Sequence, residues 1–146
     1  MKITIESPPP GGEEEIIIRS DRIDDRIMAL IQALKSDGAK LAGFSPKGQI
    51  RMLSPGDIYY FESVDNKVFA YCEHDVSELK YKLYELEERF AGTDFIRISK
   101  SMILNISKVE RFAPAIGGRF EAILLNGEKA VISRQYVQNL KKHLGI

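Results

Sequence analysis

Several residue types that mark common protein classes are scarce in this chain. Its 146 residues include one cysteine, Cys72, two histidines and no tryptophan. A single cysteine excludes an internal disulfide and fits a reducing compartment. No apolar run approaches the ~20 residues of a membrane-spanning helix, and the N-terminus lacks the charged and apolar regions of a signal peptide. We therefore expect a cytoplasmic protein with one main domain and a small N-terminal addition.

The motifs of catalysis and metal binding are missing as well. Cys72, Glu73, His74 and Asp75 are potential metal ligands, but zinc sites need a second ligand pair, and the only other histidine is His143. The chain contains no G-x-S-x-G elbow, no Walker A loop and no G-x-G-x-x-G sequence. We expect an inward-facing thiol at Cys72, no metal, no cofactor, no small-molecule substrate and no enzymatic activity.

The charges are balanced in number but unevenly distributed. Lys and Arg total 21, as do Asp and Glu, so the formal net charge is zero. Residues 1–96 hold 12 of the basic and 18 of the acidic residues, a net of −6, whereas residues 97–146 hold 9 and 3, a net of +6. This asymmetry favours a polyanionic partner for the C-terminal part. The alternative, that the charges intermix once the chain folds, stays open.

The first forty residues predict a small β-β-α unit. Residues 2–6 and 14–19 read as short strands, separated by a proline- and glycine-rich turn at 8–12. Ser20 or Asp21 can cap a helix over 22–36 that ends at Gly38. Five residues fall on one apolar helix face, namely Ile23, Ile27, Leu30, Ile31 and Leu34. We expect residues 1–45 to pack on the rest of the protein through this face or to form a homodimer with it.

From residue 40 the apolar pattern changes to the period of two that is typical of strands. The tightest connection is at 64–66, between two aromatic-rich strands, and predicts a hairpin. After these strands, Asp75 and Glu78 have the spacing of a capping box and predict a helix over 75–90. Its expected apolar stripe is Val76, Leu79, Leu83, Leu86 and Phe90. The expected strands are 41–44, 49–53, 57–63 and 67–72.

The last third continues with strands at 107–112, 119–125 and 128–132 and ends in a helix. Asn126-Gly127 is a strong hairpin signal, and Ser133 is a suitable N-cap for a helix that reaches about Leu144. The whole pattern predicts an α+β fold of mostly antiparallel strands with peripheral helices. The main domain is expected to span 46–146.

Residues 95–105 combine apolar side chains with cations and read FIRISKSMILN. We interpret Phe95 and Ile98 as anchors, and Asn105 as a structural turn residue. Arg134 lies in the first turn of the last helix, where a cation does not complement the helix dipole but can meet a bound anion. Arginine suits guanine and asparagine suits adenine in base recognition. The candidate DNA contacts are therefore Asn66, Lys67, Arg97, Lys100, Ser101 and Arg134.

Residues 48–146 resemble the LytTR family of bacterial transcription regulators. The resemblance rests on five segments of this sequence, in order IYYFESVDNKVFAY, KYKLYELEERF, FIRISKSMILNISKVERF, GRFEAILLNGEKAVISR and YVQNLKKHL. It implies an elongated, mostly antiparallel β fold whose loops enter successive major grooves on one face of DNA. Residues 1–45 are too few for the receiver domain that most family members carry, so we expect a stand-alone regulator.

The resemblance also implies where DNA is contacted and which partners to expect. The contacts would come from the loop with Asn66 and Lys67, from the segment with Arg97, Lys100 and Ser101, and from Arg134. Double-stranded DNA, a second copy of the chain and an inhibitory membrane protein are the expected partners. A protein-interaction module without a DNA role is the alternative, because the total charge is zero and the N-terminal helix has an apolar face.

Overall fold

The computed structural model describes residues 2–36 and 40–146, which divide into two compact units, Met1–Leu34 and Lys35–Ile146. Short 3-10 turns occur at Pro55–Asp57, Ile106–Lys108 and Ile116–Gly118. The helices are α1 (Asp25–Ser36), α2 (Leu83–Arg89) and α3 (Arg134–Leu144). The strands are β1 (Leu41–Phe44), β2 (Ile50–Leu53), β3 (Ile58–Val64), β4 (Lys67–Cys72), β5 (Val76–Leu79), β6 (Phe95–Arg97), β7 (Met102–Asn105), β8 (Val109–Pro114), β9 (Phe120–Leu124) and β10 (Lys129–Ile132).

The N-terminal unit is simpler than the sequence predicts. Residues 2–6 and 14–19 form no strand, so the predicted β-β-α unit is wrong in its two strands. An isolated pair of short strands is marginal in water unless a third strand or a helix covers it. The Oδ1 atom of Asp24 accepts a hydrogen bond from the backbone N–H of Ile27 at 2.9 Å, so α1 is capped at Asp24 rather than at Ser20 or Asp21. The predicted helix end at Gly38 lies outside the described residues.

Strands β1 to β7 form one antiparallel sheet in the order β2-β1-β5-β4-β3-β7-β6. Helix α2 covers one face, where the rings of Phe61, Phe90 and Phe95 pack with centroids 4.7 to 5.7 Å apart. The other face buries Ile96 and Leu104 against a second sheet, ordered β10-β9-β8, and against α3. The α+β fold class with mostly antiparallel strands is thus confirmed.

The helix predicted over 75–90 is wrong in its first half. Val76–Leu79 is strand β5, which pairs with β4 along its length and with β1 at Phe44. Asp75 caps no helix; its carboxylate forms an ion pair with Arg51, with Nη1 and Oδ1 3.1 Å apart. Helix α2 begins only after Lys82, whose backbone N–H donates to Oε1 of Glu85 at 2.9 Å. Two flanking strands outweigh the helical spacing of the apolar residues here.

Candidate nucleic-acid interface

The first candidate segment is the turn between β3 and β4. Asp65 and Asn66 both have positive φ, 51° and 64°. Positive φ at both central residues is the signature of a type I′ turn, which asparagine adopts more readily than most residues. Asn66 is therefore a turn residue whose exposed amide lies at the tip of a hairpin. Lys67 follows as the first residue of β4 and is also exposed, with its Nζ atom 3.9 Å from Oε1 of Glu78.

The charge around this tip is mixed. Glu78 also meets Lys80, whose Nζ atom lies 2.7 Å from Oε2. The hydrogen bond from Lys80 is the main reason that the pKa of Glu78 is lowered, so this carboxylate stays ionised near neutral pH. Asp65 adds a further exposed carboxylate in the turn itself. Attraction of a polyanion to this end of the sheet must therefore come from the neighbouring segments.

The second candidate segment is the loop of residues 98–101, between β6 and β7. Arg97 immediately precedes it and folds back over it. The Nε atom of Arg97 donates to the carbonyl oxygen of Ser99 at 2.7 Å, and Nη2 donates to the carbonyl oxygen of Lys100. Nη1 lies 3.3 Å from Oε1 of Glu87 on α2. Only 17% of the Arg97 side chain is exposed, so this guanidinium binds the loop from the inside.

Lys100 and Ser101, by contrast, face outward. Both are exposed, and the backbone N–H of Ser101 donates to Oγ of Ser99 at 3.2 Å. In the described part of the chain, the Lys100 ammonium has no carboxylate within 4.0 Å. The sequence pattern gave Arg97 and Lys100 the same candidate role, whereas their environments differ in the structure. Arg97 holds the loop, and Lys100 presents a charge to solvent.

The third candidate segment is the start of α3. Ser133 precedes the helix, and its backbone N–H donates to the carbonyl oxygen of Ile98 at 2.9 Å. Arg134 is the first helical residue and is exposed. A cavity of about 480 Å³ opens beside it, lined by Gly117, Arg119, Ser133, Arg134 and Gln135. The second arginine in this cavity was missed by the sequence analysis; the only sequence signal for it is a cation directly after Gly117-Gly118.

Two backbone hydrogen bonds connect the three candidate segments. Loop 98–101 is joined to the end of β3 by the N–H of Ser63, which donates to the carbonyl oxygen of Ser101 at 2.8 Å. The same loop is joined to the start of α3 by the bond from Ser133 to Ile98. The predicted contact residues, which lie between residues 66 and 134 of the sequence, are therefore on contiguous segments with loop 98–101 in the middle.

Asn105, which closes β7, is buried and serves the fold. Only 2% of this residue is exposed. Its Nδ2 atom donates to the carbonyl oxygen of Ile58 at 2.8 Å, and its Oδ1 atom accepts from the backbone N–H and the hydroxyl of Ser107 at 3.1 and 2.7 Å. The structural role expected for Asn105 is confirmed by these contacts.

The other cluster noted in the sequence lies in a second cavity, of about 330 Å³. Cys72 and His74 both line it. Within residues 2–36 and 40–146, no group of three or more His, Cys, Asp or Glu side chains is arranged to hold a metal ion. Burial is the main cause that raises the pKa of the Cys72 thiol, which therefore stays protonated at neutral pH. Among these same residues, no helix is long and apolar enough to cross a membrane.

Two loops and the start of α3 thus meet around the exposed residues Lys100, Ser101 and Arg134. The LytTr DNA-binding domain family matches residues 48–145. The chain therefore belongs to the LytTR family, as the resemblance of residues 48–146 indicated.

Proteins similar to this chain agree with that membership. An uncharacterized HTH-type transcriptional regulator of Staphylococcus aureus (strain COL) is 29% identical over 148 residues, which cover 100% of this chain and 99% of the relative. The sensory transduction protein LytT of Enterococcus faecalis is 29% identical over 112 residues, and these cover 77% of this chain but only 45% of that protein. A solved LytTr DNA-binding domain from a Bacillus cereus response regulator matches 73% of this chain and 97% of its own length, with 25% identity and a TM-score of 0.69.

Proposed function

We propose that this protein is a cytoplasmic, sequence-specific DNA-binding regulator of transcription. The observation that carries the proposal is the junction of three exposed, polar or basic segments around loop 98–101 through the bonds from Ser63 and Ser133. Membership of a family of DNA-binding domains supports DNA as the ligand, and the joined segments offer neighbouring residues that DNA could contact. The +6 net charge of residues 97–146 supports an anionic partner.

Within this proposal the segments have different tasks. Lys100 and Ser101, at the centre, bind the DNA backbone and a base edge, since an ammonium and a hydroxyl are both suited to such contacts. Asn66 and Lys67 reach the DNA on one side of this centre, and Arg134 reaches it on the other. The flanking segments then enter successive major grooves on one face of the duplex. Arg97 acts on DNA through the loop that it holds.

A salt titration with a matched control tests the proposal. Duplexes selected from genomic fragments by the wild-type protein would be bound at several salt concentrations, with affinity followed by fluorescence anisotropy. Each phosphate contact contributes about −0.9 to the slope of log K against log salt, so Lys100→Ala should lower the magnitude of the slope by about one contact. Lys47→Ala is the control, because Lys47 is exposed in the β1–β2 turn and β1 is separated from β7 by three strands.

The outcomes are distinct. Selection of no fragment at moderate salt would refute DNA binding and favour the protein-interaction module. Equal slopes for the Lys100 and Lys47 variants would remove Lys100 from the interface but leave DNA binding intact.

The proposal includes a homodimer formed through the N-terminal residues 1–45. Met28, Leu30 and Leu34 of α1 are exposed apolar side chains, and burying them against a second copy would remove apolar surface from water. Leu30→Glu in the full chain should then shift the sedimentation coefficient from dimer to monomer. A wild-type protein that sediments as a monomer at all concentrations would contradict this part.

An inhibitory membrane protein is the last proposed partner, and only the family resemblance supports it. If such a partner exists, the regulator expressed in its native cells should co-sediment with membranes before induction and be released afterwards. Recovery in the supernatant under every condition would speak against it.

A further inference from the structure

The loop between β8 and β9, residues 115–119, contacts the start of α3 at one well-defined point. Gly118 has a φ of +75°, and the side chain of Arg134 lies directly over it. A Cβ atom added at Gly118 would lie 3.0 Å from Cδ and 3.2 Å from Cγ of Arg134. Both distances are shorter than ordinary van der Waals contact, so any side chain at this position would displace the Arg134 stem. The absence of a side chain at Gly118 therefore leaves room for the path that the Arg134 stem takes.

The same loop carries a second cation into the same cavity. Arg119 is exposed and lines the cavity together with Arg134. Across the described ranges, neither guanidinium has a carboxylate within 4.0 Å, whereas Arg51, Arg97 and Arg111 each form an ion pair. Two cations without a carboxylate partner among the described residues thus line one cavity of about 480 Å³. An anion bound there would supply the missing negative charge, and a guanidinium fork suits phosphate oxygens.

We propose that the β8–β9 loop is a fourth DNA-contacting segment, in which Arg119 binds a backbone phosphate and Gly118 is a positioning residue for Arg134. This inference rests on the proposed DNA-binding function and adds a phosphate contact next to the groove that Arg134 enters. Gly118 touches no DNA in this arrangement. It determines the direction from which the Arg134 guanidinium approaches a base edge.

The chain provides a matched control for Gly118. Gly117 is adjacent, has a φ of +78° and would meet no atom within 4 Å if it carried a Cβ. Gly117→Ala and Gly118→Ala therefore place a Cβ at positive φ angles of similar size, but only the second meets the Arg134 side chain. In the full-length protein, Gly118→Ala should reduce discrimination at one base position by roughly tenfold, the scale of a single bidentate base contact, and Gly117→Ala should not. In an Arg134→Ala background, Gly118→Ala should have no further effect on that preference.

If Gly118→Ala fails to fold, Gly118→Asn replaces it, because asparagine carries a Cβ but tolerates positive φ better than most residues. Equal base preferences for the Gly117 and Gly118 variants would overturn the positioning role. Thermal melts of each variant separate a loss of folding from a loss of recognition.

The phosphate contact is tested separately with charge-matched variants. Arg119→Ala should weaken binding to all duplexes by a similar factor and lower the magnitude of the salt slope by about one contact. Arg111→Ala removes the same charge from an exposed β8 position that is paired with Glu110, and it should leave the slope unchanged. Equal slopes for these two variants would overturn the role of Arg119.

Two further outcomes distinguish a free anion from DNA as the ligand of the cavity. They also distinguish failure of this inference from failure of the proposed function. Titration with inorganic phosphate, followed by NMR, reports binding of a free anion. If Arg119→Ala abolishes phosphate binding but leaves duplex binding unchanged, the cavity is a small-anion site and the inference is overturned. If the wild-type protein binds no duplex at all, the proposed function itself fails, and this is measured first.

Discussion

Replacement of Arg97 should weaken DNA binding by disordering loop 98–101, without the loss of a phosphate contact. Two hydrogen bonds from the guanidinium to the carbonyl oxygens of Ser99 and Lys100 are lost in Arg97→Met. Bonds from a charged donor contribute about 1.5–3 kcal/mol each. The ion pair with Glu87, whose side chain is 48% exposed, adds no more than about 1 kcal/mol. The loop therefore loses about 3 kcal/mol of local stability when each bond contributes the lower of these values.

This local loss sets an upper limit on the loss of affinity. If only the ordered loop binds DNA, the apparent affinity falls with the ordered fraction. A change of about 3 kcal/mol corresponds to at most ~100-fold weaker binding, since about 1.4 kcal/mol is tenfold. The Arg97→Lys variant should bind DNA nearly as weakly as Arg97→Met. A lysine ammonium is a point charge and cannot reproduce the planar fork over two carbonyl oxygens. Glu87→Gln should bind almost as well as wild type.

Three measurements distinguish this explanation from direct contact. Hydrogen exchange should show lost protection at Ser101 in both Arg97 variants, and anisotropy titrations should show an unchanged salt slope and unchanged base preference. If Arg97 instead contacts a phosphate, Arg97→Met lowers the magnitude of the slope by about one contact and Arg97→Lys restores it. If Arg97 contacts a base, the preference for one base of the duplex is reduced in the variants, while the hydrogen-exchange protection of loop 98–101 is kept. Either pattern would refute the supporting role.

Three other residues allow shorter tests. Asn105→Ala should lower the unfolding free energy by about 2–4 kcal/mol, because a buried amide with three hydrogen bonds is lost. Urea denaturation measures this change, and a loss below about 1 kcal/mol would contradict the explanation. Asn66→Gly keeps the positive φ of its turn, so it should retain stability while losing any base preference due to the amide; unchanged preference would exclude Asn66 as a base contact. Burial, and then the hydrogen bond to Glu128, raise the pKa of Tyr60. The protonated phenol is thus favoured in the folded state, so unfolding free energy should fall as pH rises above about 10. Tyr60→Phe should make that decline shallower, and an identical decline would contradict the explanation.

Turn chemistry is local, and for that reason it could be predicted well from the sequence. The hairpin at 64–66 and the turn at Asn126-Gly127 both occur where the sequence indicated, and Gly127 has a φ of 87°. Helix α3 begins at Arg134, directly after the predicted cap residue Ser133. In each case the residues that determine the conformation are adjacent in the chain.

The wrong predictions concern segments whose conformation depends on distant partners. Val76 and Leu79 fit the spacing of a helix, yet in β5 it is Ser77 and Leu79 that are buried, with the period of two of a strand. Neighbouring strands β4 and β1 supply the hydrogen bonds that make this strand favourable. For residues 2–6 the opposite holds, because the alternating pattern is present but the described structure provides no strand to pair with it. Residues 14–19 contain three consecutive isoleucines and likewise have no strand partner in the described structure.

The candidate site shows the same division between local pattern and distant contact. The sequence identified cations in three segments, but it could not tell that the backbone of Ser63 and of Ser133 would bond to the two ends of loop 98–101. It also could not separate Arg97 from Lys100, because the two cations lie three positions apart in one segment and the sequence does not show the direction of either side chain. That direction follows from the carbonyl oxygens of Ser99 and Lys100, which accept hydrogen bonds from the Arg97 guanidinium and leave Lys100 as the exposed charge. The assignment of roles within the site therefore depends on the conformation of loop 98–101, which the sequence pattern does not specify.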